Sequence, residues 1–261
     1  MATFSGAISA ATIYGGGGAD TLRFTGAVDT SGTIDALSES GDKVFLTGSN
    51  TVVFGPAVTI GAGSQLSFGS GNDLATFSGN VTAGAYIYGG AGTDTLRFSG
   101  DFGGTVDALA DSGDLVILSG TNTALFTGAL GTGSVASFGA GNDMATFSGA
   151  IGAGSIYGGA GSDTLRFTGA VDTSGTIDAL YDSGDKLLLH GTNTILFSNS
   201  IATFAAGAQV SFGTGKDMAT FSSSVAAVSI YGGAGADTLR FASDVGGATI
   251  DLGAAADSIN F

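Results

Sequence analysis

The sequence predicts an all-β protein, a single right-handed parallel β-solenoid over residues 1–261, and three observations carry that expectation. First, the chain repeats itself: Ala-Thr-Phe-Ser stands at Ala2, Ala75, Ala145 and Ala219, steps of 73, 70 and 74 residues. Second, a glycine-rich turn closed by Asp and followed by alternating apolar residues recurs inside each repeat, as in Asp20-Thr-Leu-Arg-Phe24, Asp42-Lys-Val-Phe-Leu46 and Asp73-Leu-Ala-Thr-Phe77. Third, no stretch holds a 3.6-residue apolar stripe without a glycine breaking it, which argues against helix. A fixed internal period of this kind means stacked units that bury a core between neighbours.

The 48 glycines, with one proline and 11% charged residues, describe a regular apolar interior with many forced turns. Period-2 alternation after each Asp reads as a strand buried on one face. A second strand precedes each turn, at Gln65-Leu-Ser-Phe68, Gly32-Thr-Ile-Asp-Ala-Leu37 and Ala85-Tyr-Ile-Tyr88. Two strands and two turns make one coil of 20 to 24 residues. About 11 coils are expected, in super-repeats 2–74, 75–144, 145–218 and a partial 219–261. The Asp anchors continue through Asp94, Asp114, Asp143, Asp163, Asp185, Asp217, Asp237 and Asp257. One longer step per repeat carries Gly-x-Asn-Thr, at Gly48, Gly120 and Gly191, read as an extra strand-like insert.

Stacking turns equivalent residues into columns. Tyr14, Phe68, Tyr88, Phe138, Tyr157, Phe212 and Tyr231 precede turn glycines and are expected to form one aromatic ladder. Arg23, Arg97, Arg166 and Arg240 form an outward column expected to pair with nearby acids. Leu74, Met144 and Met218, with Phe45, Ile117 and Leu188, are apolar at outward positions, which marks either an interaction surface or a wider coil that buries them.

All 22 acids fall on repeat columns. Eleven are the turn Asp; Asp35, Asp107, Asp178 and Asp251 follow the apolar residue of the second strand; Asp29, Asp101, Asp172 and Asp244 sit in the opposite turn; Glu39, Asp111 and Asp182 precede Ser-Gly-Asp. Carboxylates roughly 5 Å apart repel by about 3 kcal/mol at an effective dielectric of 20. Either a divalent cation held by Asp oxygens and turn carbonyls offsets this, or the carboxylates accept hydrogen bonds from turn N–H groups.

Gly89-Gly-Ala-Gly-Thr-Asp-Thr-Leu-Arg97, with its copies from Gly15, Gly158 and Gly232, resembles the RTX nonapeptide repeat. The resemblance implies a β-roll that binds Ca2+, with Asp20, Asp94, Asp163 and Asp237 as first-choice ligands and Asp73, Asp143 and Asp217 second. It also implies a bacterial protein at the cell surface or outside the cell, exported by type I secretion without a cleaved N-terminal signal peptide. The sequence departs from the family in its longer coils and in the Ser-Gly-Asp turns at Asp42, Asp114 and Asp185, which lack the leading glycines.

Function classes narrow accordingly. A net charge of −15 opposes nucleic acid, which wants Lys and Arg. No apolar run reaches the ~20 residues of a membrane helix, so no membrane insertion is expected. There is no cysteine, and the one histidine, His190, reads as a surface turn residue. Carboxylate pairs recur identically in every repeat, unlike an enzyme site, so no enzyme is expected. Outward threonines (Thr21, Thr51, Thr95, Thr123) are interrupted by Lys43, Leu74 and Leu115, which disfavours an ice-binding face. The chain opens on Ala2-Thr3-Phe4 and closes on Ser258-Ile259-Asn260-Phe261, both open β-edges, so head-to-tail self-assembly into a filament or surface layer is expected. A cell-surface polysaccharide is the second partner class. A repetitive stalk or adhesin segment, and the export domain of a larger secreted protein, are the alternatives.

Overall fold

The computed structural model describes residues 1–9, 11–171, 176–197 and 204–261, with side chains left out at 30–33. These residues contain no helix; 29 strands pair in parallel throughout. Thirteen strands stack into one broad sheet, the front, from Ala2–Phe4 through Thr21–Phe24, Met144–Phe147 and Lys186–Leu189 to Thr249–Asp251. The alternate strands form the back: a ten-stranded sheet that includes Thr51–Phe54, Leu74–Phe77, Thr95–Phe98 and Val135–Phe138, then a four-stranded one from Thr194–Phe197 to Ser258–Asn260. Each step to the neighbouring strand advances the chain by 19 to 24 residues, as from Tyr86 to Thr105 and from Thr194 to Met218. Thirteen rows at ~4.8 Å make a flattened rod roughly 58 Å long.

The register explains the long repeat. Thr21-Leu-Arg-Phe24 lies in the front sheet, and its copy Thr95-Leu-Arg-Phe98 lies in the back. Between them the chain passes front strands at 43, 65 and 86, so the super-repeat is three and a half coils. Successive super-repeats therefore alternate sides of the rod. The Gly-x-Asn-Thr segments are ordinary rows within this count: Thr51–Phe54 pairs with Leu74–Phe77, and Thr123–Phe126 with Met144–Phe147. The expected insert is thus a regular half-coil whose turn carries Asn in place of Asp.

Inward residues stack on their own kind one coil away. Phe54, Phe77 and Phe98 lie face to face at 4.7 and 4.5 Å, Phe126, Phe147 and Phe167 at 4.6 and 5.1 Å, and Phe197, Phe221 and Phe241 at 4.7 and 4.9 Å. The centroid spacing is the strand spacing, so each ring keeps one rotamer and meets the next. The aromatic ladder expected from the residues before turn glycines does not form. Phe68, Phe138 and Phe212 are buried, whereas Tyr14, Tyr157 and Tyr231 face solvent, because Tyr88 is in register with Ser67 and not with Phe68. Leu74, Met144 and Met218 are exposed and Phe45, Ile117 and Leu188 half-buried, all on the outer faces, so the wider coil is excluded.

Candidate calcium-binding turns

Turn glycines set how closely the coils approach. At Gly90, with φ +95°, a Cβ would lie 2.0 Å from the Gly69 carbonyl oxygen one coil back. The turns themselves are bridged: the Gly71 N–H donates to the Ala91 carbonyl at 2.7 Å, and the Ala91 N–H to the Gly69 carbonyl at 2.9 Å. The same bridge joins Ala140 to Ala160 and Thr214 to Ala234. The nonapeptide turns from Gly89, Gly158 and Gly232 therefore rest on the Gly-x-Gly-x-Asp turn of the preceding coil. The first- and second-choice aspartates are brought together in pairs: Asp73 with Asp94, Asp143 with Asp163, Asp217 with Asp237. Asp20 begins its own column above Asp42.

Along each edge the turn residues form hydrogen-bonded ladders several coils long. The Asp73 N–H donates to Oδ1 of Asp94 and the Asp94 N–H to Oδ1 of Asp114, both at 2.9 Å. Asp143 donates likewise to Asp163 and Asp163 to Asp185, at 2.8 and 2.9 Å; Asp217 to Asp237 and Asp237 to Asp257, at 2.8 and 3.0 Å. In the third turn type the other oxygen is used locally: Oδ2 of Asp42, Asp114 and Asp185 accepts the N–H of Glu39, Asp111 and Asp182. Those three acids reach back to turn glycines, Glu39 to Gly18, Asp111 to Gly92 and Asp182 to Gly161. The hydrogen-bonded arrangement weighed from sequence is therefore present, mostly between coils and not within one turn.

Sequence reasoning missed the ladder ends. Asn50, Asn122 and Asn193 open the columns, each giving its backbone N–H and its side-chain amide to Oδ1 of Asp73, Asp143 and Asp217. Ser64 and Ser134 close two of them: their Oγ accepts the N–H of Asp42 and Asp114 and donates to the carbonyls of Glu39 and Asp111. The signal was present as Gly-x-Asn-Thr and Gly-Ser at the position of Gly-x-Asp-Thr and Gly-Asp. Ser134→Ala leaves the buried Asp114 N–H without its acceptor, and urea unfolding should show a loss of about 1–2 kcal/mol.

Two consequences are electrostatic. Burial pushes Asp94 and Asp163 up to about 6, opposed by the N–H each accepts and reinforced by neighbouring carboxylates. Burial also raises Asp73, Asp143 and Asp217, against the lowering effect of the Asn hydrogen bonds. Meanwhile Oδ2 of Asp20, Asp73, Asp143, Asp163, Asp217 and Asp237 is buried with no hydrogen-bond partner. In three of the nonapeptide turns the Asp Oδ2 lies under the first glycine, within 3.0 to 3.2 Å of where a Cβ would stand at Gly89, Gly158 and Gly232; in the last two it is the unpartnered oxygen of Asp163 and Asp237.

These residues fit calcium by donor chemistry: hard carboxylate oxygens, uncompensated and buried, beside a turn that only glycine can line. The paired aspartates and the turn residues around them would hold the ion, which would supply the positive charge that the column lacks. Among the described residues no three acidic side chains converge on one point. A bound ion therefore draws on carboxylate pairs and on oxygens of the turn. Of the opposite-turn acids, Asp101 accepts the Thr121 N–H at 3.0 Å, and Asp172 lies outside the described residues. His190 is exposed at the end of Lys186–Leu189.

Such a stack of Asp-closed glycine turns defines a calcium-binding type of repeat architecture. The family model of the RTX calcium-binding nonapeptide repeat matches four times, at residues 12–30, 86–102, 146–173 and 227–244. The chain is an RTX-like repeat protein. Comparison with curated proteins and with solved structures found no match to the chain.

Proposed function

We propose that this chain is an extracellular bacterial structural protein that assembles head to tail through its end strands and is stabilised by Ca2+ in the aspartate columns. The observation that carries the reading is the pair of end rows. Ala2–Phe4 pairs with Thr21–Phe24 alone, and at the far end Thr249–Asp251 and Ser258–Asn260 each pair on one side only. Ala2, Thr3, Ser258, Ile259, Asn260 and Phe261 are exposed there, and Phe4 is half-buried. The last strand lies on the back and the first on the front, so a second copy placed end to end continues the alternation. Free parallel edges of this kind template further strands. The RTX-type repeat, typical of secreted bacterial proteins, supports the location.

Electron microscopy of the purified chain, chelated and then returned to millimolar calcium, tests the reading. Thin filaments with an axial repeat of roughly 60 Å are expected from the native chain. Thr3→Pro, which removes an edge N–H, should shorten or abolish them. Single rods in both conditions would sink end-to-end assembly and favour the segment of a longer secreted protein, whose own further repeats cover the edges.

A further inference from the structure

The outward residues of the back sheet form straight columns, and one of them is self-complementary. Registered pairings place Arg97, Ile117, Ser137, Tyr157 and Asp178 in line on successive rows. Beside it run Thr95, Leu115, Val135, Ser155 and Thr176. The first column carries a cation at one end and an acid at the other, with bulky residues flanking a central serine. We propose that a second copy of this chain docks face to face on this sheet, antiparallel, about a two-fold axis along the strand that carries Ser137. Arg97 of each copy then opposes Asp178 of the other, Ile117 opposes Tyr157, and Ser137 and Val135 meet their own counterparts.

Three features support this occupant over an unrelated one. Only 7 residues of a chain with net charge −15 are basic, and three of them, Arg23, Arg97 and Arg166, head outward columns of this kind. Arg97 is exposed and makes no ion pair with a described carboxylate, contrary to the pairing expected from sequence; Arg23 instead covers the Phe45 ring at 5.3 Å. An unpaired cation in line with a half-buried acid on the same face, five rows in all, is complementary to itself only when reversed. Ile117, Leu115 and Val135 stay half-buried and Tyr157 39% exposed, so apolar surface sits at the centre of the patch and charge at its rim, the anatomy of an interface. Finally, the three-and-a-half-coil repeat prints the same order on the front sheet, as Arg23, Phe45, Ser67, Tyr88, Asp107 and again as Arg166, Leu188, Ser211, Tyr231, Asp251.

Both broad faces are thus sticky in the same sense, and copies stack into layers. A face about 13 Å wide and 58 Å long offers roughly 750 Å², close to the ~800 Å² per partner of a standard interface. The stacking axis is perpendicular to the rod, so it is independent of end-to-end growth: one sets particle width, the other length.

Sedimentation velocity and particle widths by electron microscopy test it at low salt. The native chain is expected as stacks several rods thick. Arg97→Asp places like charges opposite twice by symmetry, so back-face pairing should weaken roughly hundredfold and leave front-face pairs only. Adding Asp178→Arg to that variant restores the stacks, with the charges exchanged. Circular dichroism confirms that each variant keeps its β-structure. Native rods of single width overturn the proposal, as do Arg97→Asp stacks as thick as the native ones or a folded double variant that fails to recover. Filament length at unchanged width reports on the end strands alone.

Discussion

Asp163→Ala is expected to destabilise the calcium-free solenoid by about 2–4 kcal/mol, while Asp163→Asn at the same site costs little or stabilises it. Alanine removes the acceptor of the buried Asp143 N–H, a loss of about 1–3 kcal/mol by itself, and leaves a void beneath Gly158. Asparagine keeps an oxygen for that N–H and removes a charge that burial and its neighbours disfavour. The ladder of Asp163 already contains one Asn, at position 122, as its counterparts do at 50 and 193. Calcium should reverse the order of the two acceptors. The native chain gains about 2.7 kcal/mol per site at a hundredfold excess of calcium over its dissociation constant, and Asp163→Asn forfeits the gain of its own site. Urea unfolding of the three proteins, with chelator and with calcium, reads all of these differences.

Acid should stabilise the calcium-free protein. Asp94 and Asp163 stand at about 6 in the folded chain against 3.8 for the ordinary carboxyl, and Asp73, Asp114, Asp143, Asp185 and Asp217 are raised in the same direction by burial. A raised acid binds its proton more tightly in the folded state. Its favourable contribution is therefore complete below the ordinary value and is lost as pH climbs through the folded value. Between pH 7.5 and about 4.5 the stability in chelator should grow by a sum on the order of a few kcal/mol, and the melting temperature should rise with it. With calcium the slope inverts near pH 6, because protons compete with the ion for the same oxygens. Thermal melts across that range, with and without calcium, separate the two curves. A melting temperature in chelator that falls on acidification would mean that these carboxylates are stabilised as anions by the hydrogen bonds alone.

The solenoid was legible in the sequence because a repeat makes each apolar position testify several times: the alternation after Asp20 recurs after Asp94, Asp163 and Asp237, and every copy lands in a buried-outward strand. The Asp columns were legible for the same reason. What stayed hidden depends on register. Whether Tyr88 stacks on Phe68 or on Ser67 is a shift of one residue, and that shift moves the side chain from core to solvent. The half-coil in each super-repeat, which sends successive nonapeptides to opposite edges, could be counted only by admitting Asn50 to the column of Asp73. Asn and Asp differ there by more than a charge: each Asn gives its side-chain amide as well as its N–H to the next Asp, whereas each Asp gives only its N–H and accepts with Oδ1. Expected pairing of the arginines failed for a simpler reason: most acids crowd into the turns along the edges, and the outward Asp107, Asp178 and Asp251 stand four rows from the arginine of their own column.

Calcium titration of the chelated protein at pH 7.5, followed by thermal melting, tests most directly whether the aspartate ladders are cation sites. A saturable rise in melting temperature, absent when Asp73, Asp94, Asp143, Asp163, Asp217 and Asp237 are all Asn, is the expected result. An identical melting temperature in chelator and in millimolar calcium would contradict it, leaving the ladders as hydrogen-bonded structure alone.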